Sequence, residues 1–156
     1  MAVRPGYKQT EAGLIPEDWE VKKLGEIANV GSGGTPDRKN LAYWNGDIPW
    51  VTTSQIDFNQ ISKAEEFITK LGLTNSSAKL FDKNTLLMAM YGQGKTRGKV
   101  AILGIQAAIN QACAAIQLNK NVSTRYIFFN CNYSARAGGK KGEPANASTR
   151  ASSTER

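Results

Sequence analysis

The chain has 156 residues, enough for one domain with a substantial core, and it carries a formal net charge of +7 without a single histidine. The missing histidine removes the commonest general base and the commonest metal ligand, which excludes Ser-His and Cys-His hydrolytic centres. Two cysteines, Cys113 and Cys131, are too few for a disulfide framework and are not spaced as metal ligands, so each reads as a small apolar residue in a reducing compartment.

Residues 1–19 are polar and turn-rich, with Pro5-Gly6, Gly13 and Pro16, and read as an N-terminal arm that Trp19 anchors on the domain body. Within 20–30, Val21, Leu24, Ile27 and Ala28 fall at helical spacing, with a short strand as the alternative for the C-terminal half. Residues 31–36, with three glycines and a proline, form a loop that 37–40 extend with Arg38 and Lys39. Residues 43–51 are an aromatic-rich turn entering a strand, with Asn45-Gly46 as its positive-φ pair, and 52–55 place small polar side chains at the strand end. Residues 61–72 fit a polar strand or a short helix equally. Thr74-Asn75-Ser76-Ser77 ahead of Ala78 resembles a capped helix start.

Residues 86–90 and 100–103 predict strands. The alanine-rich 107–118 could be helical, although Ile109, Cys113 and Ile116 fit no single period, and 125–130 is a further apolar piece. Residues 134–156 contain no Leu, Ile, Val, Phe, Tyr or Trp, so a disordered tail is expected there. No apolar run approaches the length of a membrane span and no secretory signal opens the sequence, which leaves the four Asn-x-Ser triplets without meaning and points to the cytoplasm.

The two strand-like runs around Gly92-Gln93-Gly94-Lys95-Thr96-Arg97-Gly98-Lys99 hold the most distinctive chemistry. Residues 89–96 satisfy a relaxed nucleotide-binding loop, with Ala89 in place of the first glycine. That loop needs a following helix N-terminus and a later carboxylate for Mg²⁺. Here an apolar strand-like run follows, so a strand–basic loop–strand hairpin is expected, and ATP binding through Lys95 ranks third among the functional readings. Between Asp82 and Glu143 there is no acidic residue, while Lys83, Lys95, Arg97, Lys99, Lys120, Arg125, Arg136, Lys140 and Lys141 fall in that interval. Such a distribution suits a polyanion. Pro36-Asp37 lacks the downstream Asp/Glu-x-Lys of a metal-dependent nuclease, and the catalytic turn of a DNA methyltransferase is missing. The chain therefore reads as a non-catalytic binding module. Arg38, Lys39, Lys95, Arg97 and Lys99 are candidates for phosphate or guanine, and Thr53, Ser54, Gln55, Gln93 and Gln111 for base edges, since a carboxamide can read adenine bidentately.

Ile15-Pro16-Glu17-Asp18-Trp19-Glu20, Ser32-Gly33-Gly34-Thr35-Pro36, Tyr43-Trp44-Asn45-Gly46-Asp47-Ile48-Pro49-Trp50-Val51 and Asn110-Gln111-Ala112-Cys113 occur in that order. Together, over roughly 7–130, they resemble a target recognition domain of the specificity subunit of type I restriction–modification systems. The resemblance implies a small α+β domain, mostly antiparallel β with a few short helices, over 20–133, which reads one half of a bipartite duplex DNA target. It also implies methyltransferase and motor-nuclease partner subunits that hold S-adenosylmethionine, ATP and Mg²⁺, with no cofactor in this chain. A whole subunit of that family has a second such domain and long coiled-coil helices, neither of which is visible here. A truncated domain is expected, with 134–156 as an out-of-frame tail. The rival reading is a fragment that docks on the methyltransferase subunit and modulates assembly, with little DNA affinity of its own.

Overall fold

The structure is a computed structural model and describes residues 3–92, 95–136 and 148–149. In chain order the strands are β1 (Tyr7–Thr10), β2 (Gly13–Pro16), β3 (Glu20–Val21), β4 (Ala28–Ser32), β5 (Trp44–Val51), β6 (Asn59–Ile61), β7 (Glu66–Ile68), β8 (Leu80–Phe81), β9 (Leu86–Ala89), β10 (Val100–Leu103), β11 (Ala107–Ile109), β12 (Cys113–Leu118) and β13 (Ser148–Thr149). The helices are α1 (Leu24–Ile27), α2 (Lys70–Thr74) and α3 (Thr124–Arg136), with single 3₁₀ turns at Leu41–Tyr43 and Thr53–Gln55. This is a small α+β domain.

Two sheets carry it. One has the order β4-β12-β9-β10-β6 and the other β7-β5-β11-β8. Only β10–β6 and β11–β5 pair in parallel; every other pairing among the described residues is antiparallel. The sheets face each other across a core of Val51, Ile56, Ile61, Phe81, Leu87, Leu103 and Ile109, with Ala89, Ala101, Ala107 and Ala115 between them. The far face of the larger sheet, with Leu86, Val100, Ile102 and Ile116, is covered by Ile127 and Phe128 of α3 and Ile27 of α1. The far face of the smaller sheet carries Trp50, Ile68 and Ala108, capped by Leu73 of α2. The layers thus run helix, sheet, sheet, helix. A strand buried on both faces has no polar face to alternate with, which is why β10 and β11 are apolar throughout.

Several expectations need correcting. Residues 107–118 are not a helix but two strands, whose alanines let the sheets approach closely. Residues 20–30 supply only one helical turn before β4 takes over, so the strand alternative holds for the C-terminal half. Residues 61–72 contain both a strand and a helix. Thr74-Asn75-Ser76-Ser77 ends α2 instead of starting a helix: Asn75 donates its backbone N–H to the Leu71 carbonyl, and Leu80–Phe81 is a strand. Asn45 does take a positive φ of 59°, but it lies in a bulge of β5, where Trp44 and Ile48 both face Ile68. The 125–130 segment lies within α3. The arm forms the hairpin β1–β2, and Trp19 is half-buried. Most of the supposed tail lies outside the described residues, although Ser148–Thr149 pairs with Glu20–Val21. Among the described residues no helix is long and apolar enough to cross a membrane.

Candidate nucleic-acid interface

The topology brings several loops to one end of the two sheets. β4 ends there at Ser32, opposite Ala114 near the start of β12. β9 ends there and β10 begins, joined by the basic segment, and β6 starts beside β10 with Asn59 opposite Ala101. The smaller sheet contributes the C-terminal end of β5, since the Asn110 N–H donates to the Val51 carbonyl at 3.0 Å. The Met90 N–H donates to the Ala112 carbonyl at 2.9 Å, tying the basic segment to the 110–112 turn.

The basic segment is a strand–loop–strand connection: Val100 faces Met88 across an antiparallel pair. No helix follows it, so the nucleotide-loop pattern lacks the N-terminus that would hold phosphates. The loop is wound on one carbonyl, that of Gly92, which accepts from the N–H groups of Thr96 at 3.1 Å and Arg97 at 3.0 Å. Gly92 has φ +104°, and a Cβ there would stand 2.8 Å from the Thr96 Cβ, so glycine is required. Lys95 and Arg97 are exposed. Lys99 is held at 2.7 Å by Asp57, just ahead of β6, and so is already paired. Tyr91, 67 % exposed, stands at the base of the loop.

Thr53, Ser54 and Gln55 occupy the 3₁₀ turn after β5, at the same end. The Ser54 hydroxyl shares a hydrogen bond with Thr52 at 2.7 Å. Both ends of the Gln55 carboxamide are engaged: Nε2 donates to the Lys63 carbonyl at 3.0 Å, and Oε1 accepts from the Glu65 N–H at 3.2 Å. Gln55 is therefore a staple for the 63–65 loop, and it holds the exposed Lys63 beside the turn. Sequence reasoning missed Lys63, because only this long-range contact gives it a place. Gln111, in the 110–112 turn, is exposed and accepts from the Thr35 hydroxyl. Gln93 lies outside the described residues.

Arg38 and Lys39 stand apart on the flank, over the outer face of the smaller sheet. The Arg38 guanidinium makes a bidentate pair with Glu66, one arm at 3.2 Å. It also stacks 3.9 Å from the Trp44 ring centroid and 4.9 Å from that of Trp50. The Glu66 hydrogen bond raises its pKa. Lys39 donates its backbone N–H to Asp37 at 2.9 Å, and its side chain is exposed. At the loop end, Cys113 sits under the 110–112 turn, where burial pushes its thiol up to about 12. A group so hard to ionise is a poor nucleophile. Among the described residues no cluster of three potential metal ligands occurs.

This arrangement can bind a polyanion through exposed cations and present polar side chains beside them. The model of the type I restriction modification DNA specificity domain matches residues 16–153. The MjaIX type I restriction enzyme specificity subunit of Methanocaldococcus jannaschii is 34% identical over 126 residues, covering 79% of this chain and 28% of its own length. A type I restriction enzyme specificity subunit of Escherichia coli is 30% identical over 113 residues, covering 70% of this chain and 28% of the relative. Among solved structures, the HsdS subunit from Thermoanaerobacter tengcongensis superposes with a TM-score of 0.65 at 14% identity, over 92% of this chain and 35% of that one, and so shares the fold. The chain thus spans under a third of the length of these curated relatives. On the breadth of the family match, the chain belongs to the type I restriction–modification DNA specificity domain family.

Proposed function

We propose that this domain reads one half of a bipartite duplex DNA target, through the loops gathered at one end of its two sheets. One observation supports the reading most: Lys95 and Arg97 project from a tightly wound hairpin loop beside Thr53, Ser54 and Gln111, so phosphate-seeking cations and base-edge donors share one surface. Lys63 extends the same surface, and Lys39 flanks it. Lys99 joins it to the extent that a phosphate outcompetes Asp57. In this reading, the methyltransferase and motor-nuclease subunits hold S-adenosylmethionine, ATP and Mg²⁺ and carry out the chemistry, while this domain supplies position.

One half-site and a few phosphate contacts give modest affinity that falls steeply with salt. The test is a salt-titrated duplex-binding assay of the chain and of its Lys95→Ala/Arg97→Ala variant. Two lost phosphate contacts should lower affinity and flatten the slope of log K against log salt by about two. An unchanged slope would remove the hairpin from the DNA surface. No duplex binding by the unaltered chain at low salt would favour docking on a methyltransferase subunit as the domain's whole role.

A further inference from the structure

Lys95, Arg97 and Lys99 belong to one hairpin, but only Lys99 is answered by a carboxylate. Its Nζ stands 2.7 Å from Asp57 Oδ1, whereas Lys95 and Arg97 are exposed without an ion pair among the described residues. The contact joins segments 42 positions apart. Asp57 is its more exposed member, with a side chain 70 % exposed against 31 % for Lys99. A duplex approaching this end therefore meets the carboxylate before the ammonium.

Both partners are held by contacts that do not depend on the pair. The Lys99 N–H donates to the Thr96 carbonyl at 3.0 Å, and the Lys99 carbonyl accepts from the Ala89 N–H at 2.9 Å. Asp57 donates its backbone N–H to Asn59 Oδ1 at 2.8 Å. Asn59 Nδ2 donates in turn to the Gln55 carbonyl at 3.1 Å, while its backbone lies opposite Ala101. Between Asp57 and Asn59, Phe58 takes a φ of 53°, a region in which a bulky side chain is an outlier. Its ring packs against the cluster of Leu86, Val100 and Ile102, and that packing holds the strained turn in place. The turn thus tucks Phe58 in and leaves Asp57 outside, beside Lys99.

We propose that Asp57 limits duplex binding by silencing Lys99, so that the hairpin offers two phosphate contacts and not three. The inference rests on the DNA-reading function proposed above. A phosphate that captured Lys99 would only exchange one anionic oxygen for another. It would also leave the Asp57 carboxylate unpaired against the polyanion, where like charges repel. The joined ammonium and carboxylate carry no net charge, so they displace no counterion from a duplex and add nothing to the salt dependence. Sequence-independent affinity comes from phosphate contacts, and Asp57 trims it without touching the base-reading side chains.

The test measures salt-titrated binding of a random-sequence duplex to the chain, to Asp57→Asn and to Asp57→Asn/Lys99→Gln, with Glu11→Gln in the exposed β1–β2 turn as a control. The turn survives in Asp57→Asn because its bond to Asn59 comes from the backbone. Freeing Lys99 should steepen the slope of log K against log salt by about one and raise affinity about fivefold to tenfold at about 0.1 M salt. The double variant replaces one neutral pair with another and should return both quantities to those of the unaltered chain. Glu11→Gln should change neither, and selection from randomised duplexes should give the same preferred sequence with and without Asp57. An unchanged slope in Asp57→Asn would show that the pair faces away from DNA. Equal steepening in Glu11→Gln would show a general charge effect, and a double variant flatter than the unaltered chain would show that Lys99 holds a phosphate despite Asp57. Relaxed selection at a cytosine or adenine in Asp57→Asn would make the carboxylate a reader of base amines. Each of these results would overturn the inference while leaving DNA binding intact. Absence of any duplex binding by the unaltered chain would overturn the DNA reading and this inference with it.

Discussion

Arg38 and Lys99 each hold a carboxylate, whereas Lys95 and Arg97 are exposed without an ion pair among the described residues. A cation already paired with Glu66 and stacked on two tryptophans gains less from a phosphate, because it must first give up those contacts. Arg38→Ala should therefore act mainly on stability. Its ion pair is more than one-third exposed, so it contributes under about 1 kcal/mol, and the stacking on Trp44 and Trp50 adds a similar amount. Denaturant unfolding of the variant should show that loss, and its duplex affinity should fall less than that of Lys95→Ala/Arg97→Ala. Cys113 makes a second prediction. Its thiol ionises near 9 when unfolded and only at about 12 when folded. Between those values the unfolded chain releases a proton that the folded chain keeps, so stability present below pH 9 is lost as pH rises toward 12. Unfolding measured at pH 8 and pH 10.5 should show a steeper fall for the native chain than for Cys113→Ala.

The loop after β4 is the element on which the site rests most heavily. A Cβ on Gly33 would stand 1.8 Å from the Ile109 carbonyl oxygen, so Gly33→Ala must displace backbone at the crossing that carries Thr35. A cost of about 1–3 kcal/mol is expected, read as a lower unfolding midpoint in denaturant, with weaker duplex binding as a consequence. Elements with a strong local pattern were legible in the sequence. The apolar runs at 86–89 and 100–103 are strands, and the glycine and cation content between them marks their connection. The alanine-rich 107–118 was not legible, because alanine there serves the spacing of two sheets, and only the partner strands reveal that role. The same holds for Asn45-Gly46: the positive φ of Asn45 was readable, Gly46 does not take one, and the use of the pair as a bulge depends on Ile68 across the sheet. Gln55 looked like a base reader from its type and place, yet its partners, at Lys63 and Glu65, lie in a segment that carried no signal of its own.

At the scale of the whole molecule, the two-sheet core separates a loop end from the opposite end. A hollow of about 460 Å³ is lined by Val21, Glu26, Ile27 and Asn119 at that opposite end. The loop end instead offers a surface of hairpin, 3₁₀ turn and 110–112 turn, which suits a long polyanion better than a small enclosed ligand. The family resemblance was readable from four short motifs in order, and two of them, 32–36 and 110–113, build the Thr35–Gln111 contact at this surface. Amide hydrogen exchange of the chain with and without a saturating duplex at low salt shows where DNA lies on the domain. Slowed exchange is expected at 95–99, 53–55 and 110–112, with the β1–β2 hairpin and α3 unchanged. Protection confined to α3 or to the Asn119 end, with the loop end exchanging as before, would remove the loop end from the DNA surface.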